Sequence, residues 1–332
     1  MNSPKKTKKI ALFASGLLLT LLVVASAEAA TDLNSRIQAA ETTAAENSLC
    51  KQIEPFYWEI GDKKVRIVSA AQGRNGPDAN TNMDIASASK WIFGAYVVQK
   101  RNGNLSQADI EALNMRTGYT SLKYSSCVRL LPSRKKSETV GECFDAGKNN
   151  QFNPENKGKF FYNGGHFQKY AAVDLNLKDK NNETLANEMM RQLGIDFSFT
   201  FGSPQLAGGI NTSAAEYAKF LRAILSEKLF IGRLLGADSV CTNPTVCPSA
   251  VSTPIPKEYQ WNYSLAHWVE NDPKTGDGSF SSAGAFGFYP WIDASKTYYG
   301  IVARKVTGKK SAIQSAQCGN LIRKAFITGA VN

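Results

Sequence analysis

Ser87 and Lys90 stand three residues apart at the start of a long apolar stretch in this 332-residue chain. Three residues along a helix bring two side chains onto one face, so the lysine amine can reach the serine hydroxyl. Trp91, Ile92, Phe93, Tyr96, Val97 and Val98 make that helix apolar nearly all round. A lysine inside it loses hydration, which lowers its pKa, and the positive helix N-terminus acts in the same direction. A neutral lysine can take the serine proton, and the helix N-terminus favours the oxyanion that follows. The competing reading is a lysine that merely runs its charge out to water from the first turn. Ser-x-x-Lys is weak by itself and occurs at Ser3/Lys6, Ser48/Lys51, Ser87/Lys90 and Ser133/Lys136. Only Ser87/Lys90 opens an apolar helix; the others lie in a basic leader or in polar surroundings.

The elements that must hold this pair can be read around it. Residues 34–48 are Ala- and Glu-rich and predict a helix. Phe56 to Ile60, a Gly61-Asp62 turn and Val65 to Val68 predict a hairpin. Ile85 to Val98 is too long and apolar for a strand and predicts a buried helix. Ser106 with Asp109 has capping-box spacing for a short helix to Leu113. Residues 183–193 and 213–225 have helical spacing, the second with Asn211-Thr212-Ser213 as its start signal. Toward the end, Trp261 to Val269 alternates like one strand, and Asn271 to Gly278 is dense turn chemistry. Ala285 to Ile292 and Thr297 to Ala303 read as two further strands, and Ser311 to Phe326 as a last helix. The expected fold is therefore α+β: an antiparallel sheet built from both chain ends, flanked by helices, with a mostly helical insertion.

Residues 1–30 read as a secretory signal peptide, with Lys5, Lys6, Lys8 and Lys9 before the apolar run Ile10 to Val24 and small residues at Ala25, Ala27 and Ala29. Residues 31–332 are then expected to form one domain. One lobe takes about 31–85 and 255–332, and the helical lobe about 86–254. The net charge of +11 invites a nucleic-acid reading, but removal of four lysines and Glu28 with the leader brings it to about +8. What remains is scattered apart from Arg134-Lys135-Lys136, so no nucleic-acid partner is expected. A membrane is expected to be met only through the leader, during export, and the destination to be periplasmic or secreted. All six cysteines lie beyond the leader, and an even count in an oxidising compartment suggests disulfides. Cys127 with Cys143 and Cys241 with Cys247 would close loops, leaving Cys50 and Cys318 to join the two ends; free buried thiols are the alternative. With two His and six Cys, no metal and no cofactor are expected.

With Ser87-Ala88-Ser89-Lys90 opening an apolar helix, the chain resembles the β-lactamase and penicillin-binding-protein superfamily of serine hydrolases, nearest its class C β-lactamase-like and esterase-like branch. Lys159-Phe160-Phe161-Tyr162-Asn163-Gly164-Gly165 is similar to that family's Tyr-x-Asn box. Leu206 to Tyr217 resembles its Gly-Gly turn before a helix, and Gly284 to Asp293 its active-site-edge strand. The likeness spans roughly residues 56–325. It implies Ser87 as acylated nucleophile, Lys90 as its activating partner and Tyr162 as a second base, its phenol pKa lowered by the lysine. It implies an oxyanion hole from the backbone N–H groups of Ser87 and Ala285. Two departures stand out. The family's asparagine falls on Gly164, with Asn163 one position early. The family's Lys/His-Ser/Thr-Gly box matches literally at Lys274-Thr275-Gly276, inside turn chemistry, and by placement at Ser282-Ala283-Gly284, which lacks the cation. Asn163, Ser282, Gly284 and Ala285 are thus the implied substrate-facing residues.

The resemblance implies an exported serine hydrolase acting on an ester or amide of a small molecule or peptide, including one derived from cell wall. A β-lactamase or D-alanyl-peptide hydrolase is the alternative, and a non-catalytic binding protein on the same fold is the third reading.

Overall fold

In the structure, a computed structural model, Met1 and residues 32–127, 137–308 and 310–332 are described. The leader and Arg134-Lys135-Lys136 lie outside the described residues. Helix α1 covers 32–46. Strands β1 (Phe56–Asp62) and β2 (Arg66–Gln72) form the expected hairpin. Five strands follow late in the chain: β6 (Asn262–Ser264), β7 (His267–Glu270), β8 (Ser279–Ser281), β9 (Tyr289–Ile292) and β10 (Tyr298–Ala303). With β4 (Val240–Cys241) they make one eight-stranded sheet in the order β2-β1-β10-β9-β8-β7-β6-β4. Strand β1, from the early part, pairs antiparallel with β10, from the late part, so that Trp58 faces Val302. The sheet is thus closed by the two ends of the fold, and the fold is α+β as the sequence pattern implies.

Alternation along β10 sends successive side chains to opposite faces. Tyr299 meets Arg222 of helix α4 (Ala214–Leu225) on one face, while Val302 packs against helix α5 (Ser311–Thr328) on the other. Helix α2 (Ser89–Lys100) lies on the α4 side, with Ser89 through Val98 all buried. Its apolar perimeter has one physical outcome: it can only sit inside the molecule. Helix α3 (Asn182–Leu193) packs beside it. Local capping explains where these helices begin. The Ser213 side chain accepts from the Glu216 N–H, and the Ser106 box with Asp109 is closed in both directions.

Two expectations are revised. Residues 261–269 are not one strand but a hairpin, because Leu265 and Ala266 both take positive φ. That turn is held from outside: the Leu265 N–H donates to Asn114 Oδ1 at 2.7 Å and the Ala266 N–H to Leu113 O at 3.0 Å. Residues 85–98 are not one helix; a 3-10 turn over Ala86–Ala88 precedes α2. The insertion also contains short strands, notably β3 (Phe160–Phe161) paired in parallel with β5 (Ala250–Ser252), and residues 200–201 and 210–212, which form a three-stranded patch with residues 83–84 of the other lobe.

Disulfides join Cys50 to Cys318, Cys127 to Cys143 and Cys241 to Cys247. The first ties the short helix Ser48–Lys51 to α5, across 268 residues of sequence. Beside it, the Asn332 N–H donates to Thr43 Oγ1, and Asn47 Nδ2 to Asn332 O. Among the described residues, no helix is long and apolar enough to cross a membrane.

Candidate active site

Ser87 sits on the 3-10 turn, not on the α-helix proper. Ala86 carries φ 44°, a left-handed conformation that costs a non-glycine residue of order 1 kcal/mol or more. The turn is over-determined by its neighbours. The Ile85 N–H donates to Ile210 O, the Ile210 N–H donates to Ser89 Oγ, and Tyr217 Oη donates to Ala88 O. Ser89, fully buried, is thereby spent on structure, whereas Ser87 remains partly exposed.

On the far side of the turn lies the continuation of β8. Ser282 Oγ donates to Ser87 O at 3.1 Å. A Cβ on Gly284 would stand 2.1 Å from Ile85 O, so only glycine lets this segment approach the turn so closely. Gly284 donates to Phe288 O, and Ala285 stands exposed at the rim. Ser282-Ala283-Gly284 therefore lies against the serine. Lys274-Thr275-Gly276 does not: it forms the turn at the opposite end of β8, where Asp272 Oδ1 accepts from the Lys274 and Thr275 N–H groups. The literal motif match is a hairpin turn.

Lys90 Nζ donates to Ser87 Oγ at 2.9 Å and to Ala207 O at 2.6 Å, and it lies 4.9 Å from the centre of the Tyr162 ring. The residue is 5% exposed. Burial pulls the ammonium down to about 7, and no carboxylate offsets it. A fall from 10.5 corresponds to about 5 kcal/mol against the charged form. Near neutrality the amine is thus available as a base, and its contact with Ser87 can run in reverse, hydroxyl to lone pair. The carbonyl that receives the second N–H belongs to the Gly-Gly turn segment. Gln168 fixes that segment by donating to Pro204 O and Val140 O and accepting from the Leu206 N–H.

Tyr162 follows β3, its N–H donating to Ser252 O at 2.9 Å. Its ring stacks on Trp268 at 5.3 Å and meets Tyr263 edge-on. Burial pushes the phenol up to about 12, against the pull of the Ser87 hydroxyl. The expected lowering by the lysine is thus replaced by a rise. The amine lies over the ring face, and enclosure by aromatic neighbours disfavours a phenolate. Tyr162 stands at the site as a neutral phenol.

Asn163 is engaged within its own loop. Its Oδ1 accepts from the Leu122 and Gly165 N–H groups, and its Nδ2 donates to Leu122 O. Both side-chain polar atoms thus hold the loop, where the resemblance implies a substrate-facing role. Gly164, at the family's asparagine position, has no room for that residue: a Cβ there would stand 2.9 Å from Ala207 Cβ. His166 pins the same loop. Its Nδ1 accepts from the Thr117 N–H at 3.1 Å, so its Nε2 donates to Phe161 O at 3.0 Å. Burial takes its pKa down to about 3, against the pull of that carbonyl, which leaves the ring neutral.

The sequence reading missed Ala207 O, Gln168, Trp268 and Tyr263. The Gly-Gly turn carrying Ala207 was visible as a motif, but nothing local marks its carbonyl as a partner of Lys90.

No protein-family model and no curated protein matches the chain. Solved structures do share its fold. A D-amino acid amidase from Ochrobactrum anthropi aligns with a TM-score of 0.60 at 10% identity, over 81% of this chain and 95% of that one. A hydrolase with promiscuous acyltransferase activity aligns at 0.60 and 12%, over 90% and 99%. A penicillin-binding protein homologue from Pyrococcus abyssi aligns at 0.58 and 14%, over 83% and 74%. The chain thus has the fold of the β-lactamase and penicillin-binding-protein-like serine hydrolases; at these identities the likeness is one of fold.

Proposed function

We propose that this protein is a serine hydrolase that cleaves an ester or amide through an acyl-enzyme on Ser87. The observation that carries the reading is the buried Lys90 amine, 2.9 Å from Ser87 Oγ and without a carboxylate partner. In acylation, neutral Lys90 takes the serine proton as Oγ bonds to the substrate carbonyl carbon. The backbone N–H groups of Ser87 and Ala285 receive the oxyanion. The proton then passes through the Tyr162 hydroxyl to the leaving alcohol or amine as its bond to the carbonyl breaks. In deacylation, water attacks the acyl carbon, gives its proton to the same Lys90–Tyr162 pair, and Ser87 recovers the proton as its bond to the acyl group breaks. Lys90, not a tyrosinate, is the base near neutral pH, because burial moves the two pKa values in opposite useful directions.

Ser282 stands where the resemblance implies a cation, which removes one attraction for a substrate carboxylate at that point. This favours a simple ester or amide over a β-lactam. The neighbours named amidase and hydrolase support the same chemistry at the level of fold. Export to a periplasmic or extracellular site is part of the proposal, supported by the three disulfides. The test is labelling with a fluorophosphonate probe and mass spectrometry. One adduct on Ser87, absent in Ser87→Ala, is expected; labelling that persists in Ser87→Ala overturns the assignment.

A further inference from the structure

A second site is written into the junction of β10 and α5, away from Ser87. Arg304 follows β10 and is 7% exposed. Its Nε is buried with no hydrogen-bond partner among the described residues. Its Nη1 reaches Ser315 Oγ, in the second turn of α5, at a long 3.4 Å. Ser311, at the first position of α5, is 5% exposed, and Ser315 is fully buried. The helix start itself is uncompensated. Among the described residues no side chain caps it, and its first turn holds no acidic residue. An 18-residue helix presents partial positive charge and free N–H groups at such an end. A buried guanidinium, the Ser315 hydroxyl it reaches and the first turn of α5, where Ser311 is buried and its N–H donates to Gly308 O, thus bring several donors to one end of the helix. Burial alone pulls the Arg304 pKa down, with no counter-charge among its causes. A guanidinium buried this way is unfavourable unless something anionic joins it.

We propose that a small oxyanion, a carboxylate or an inorganic phosphate or sulfate, binds between Arg304, Ser311, Ser315 and the N-terminus of α5. Arg304 supplies the planar fork that matches two anion oxygens, and the helix end supplies N–H donors. The site lies directly behind the turn that carries Ala285. Gly287, in that turn, has φ 91°, and a Cβ on it would meet Arg304 Cβ at 2.8 Å. An anion here braces that turn from the side opposite the serine. The inference is independent of the hydrolase reading, since it concerns binding and needs no turnover.

The experiment is calorimetric titration of the full chain with sodium phosphate, sulfate and acetate in a low-chloride buffer. One saturable site per chain is expected for at least one of them. Preference for phosphate or sulfate identifies a free tetrahedral anion as the ligand, and preference for acetate identifies a carboxylate end. Arg304→Met is expected to weaken binding at least ten-fold. Ser311→Asp guards against a variant that fails to fold, because it places a carboxylate in the first turn of α5, where it offsets the positive helix end. It is expected to abolish anion binding and to raise Tm in anion-free buffer. Absence of saturable binding for all three anions overturns the proposal, as does binding unchanged in both variants.

Discussion

Two buried cations, Lys90 in α2 and Arg323 in α5, meet opposite treatment in the same molecule. Arg323 is 2% exposed and fully partnered. It donates to Glu270 at 2.9 Å, to Asp277 at 2.7 and 2.9 Å, and to Tyr289 Oη at 2.9 Å, with its guanidinium 5.2 Å from the centre of the Trp291 ring. Burial alone would lower its pKa, but Tyr289, Glu270 and Asp277 hold it well above the ordinary value. Lys90, equally enclosed, receives a hydroxyl, a carbonyl and an aromatic face, and falls to about 7. The first arrangement fixes a charge; the second leaves a proton free to move. Burial of a cation is therefore no mark of function by itself. The absence of a carboxylate beside it is the informative part, and on that measure Arg304 stands with Lys90.

The largest expected effect that would test this contrast is on turnover. Lys90→Met should lower hydrolysis of an activated ester by about 10⁴-fold, measured chromogenically, while leaving the fold intact. Arg323→Met should do the reverse. Removing one partner of a buried charge network costs about 3–5 kcal/mol, read from urea unfolding, and residual folded protein should keep its turnover. If Lys90→Met proved as destabilising as Arg323→Met, the contrast would collapse. Next in size, Tyr162→Phe keeps the stack on Trp268 but removes the hydroxyl, and should reduce turnover about 10²-fold with little change in stability.

The remaining effect is one of pH. The folded pKa of Lys90 lies below its unfolded value of 10.5, so between about 7 and 10.5 the unfolded chain binds more protons. Lys90 therefore contributes a gain of stability as pH rises through that window, and its full penalty is present below about 7. Subtracting the Tm-versus-pH curve of Lys90→Met from that of the parent should isolate a rising difference across that range. A flat difference would show that Lys90 is not held neutral. The same titration should make Ser87 acylation accelerate as pH rises through about 7.

What the sequence disclosed follows from distance along the chain. Ser87 and Lys90 were legible because three residues of spacing and one apolar run are local facts. The Ser106 and Ser213 caps were legible for the same reason. The sheet could be anticipated because hydrophobic alternation marks its strands, although the break at Leu265-Ala266 could not. Neither residue favours positive φ, and the turn is held by Asn114 and Leu113, about 150 positions away. Lys90's second acceptor, Ala207 O, is a backbone atom 117 residues distant, and a carbonyl leaves no signature in residue type. Tyr162 is marked by resemblance, but the acidity of its phenol depends on Tyr263 and Trp268, brought in by β6 and β7. Asn163 was misread because its partners lie on the Leu122 loop.

The Cys50–Cys318 bond makes a closed hoop of all the residues between, the whole sheet included. A protease that cuts once anywhere inside this hoop produces no separate fragments. On a non-reducing gel such a nicked molecule keeps the mass of the intact one, and only thiol treatment splits it. For a protein proposed to work outside the cell, a first cut in a surface loop is thus a local injury, not a dismemberment.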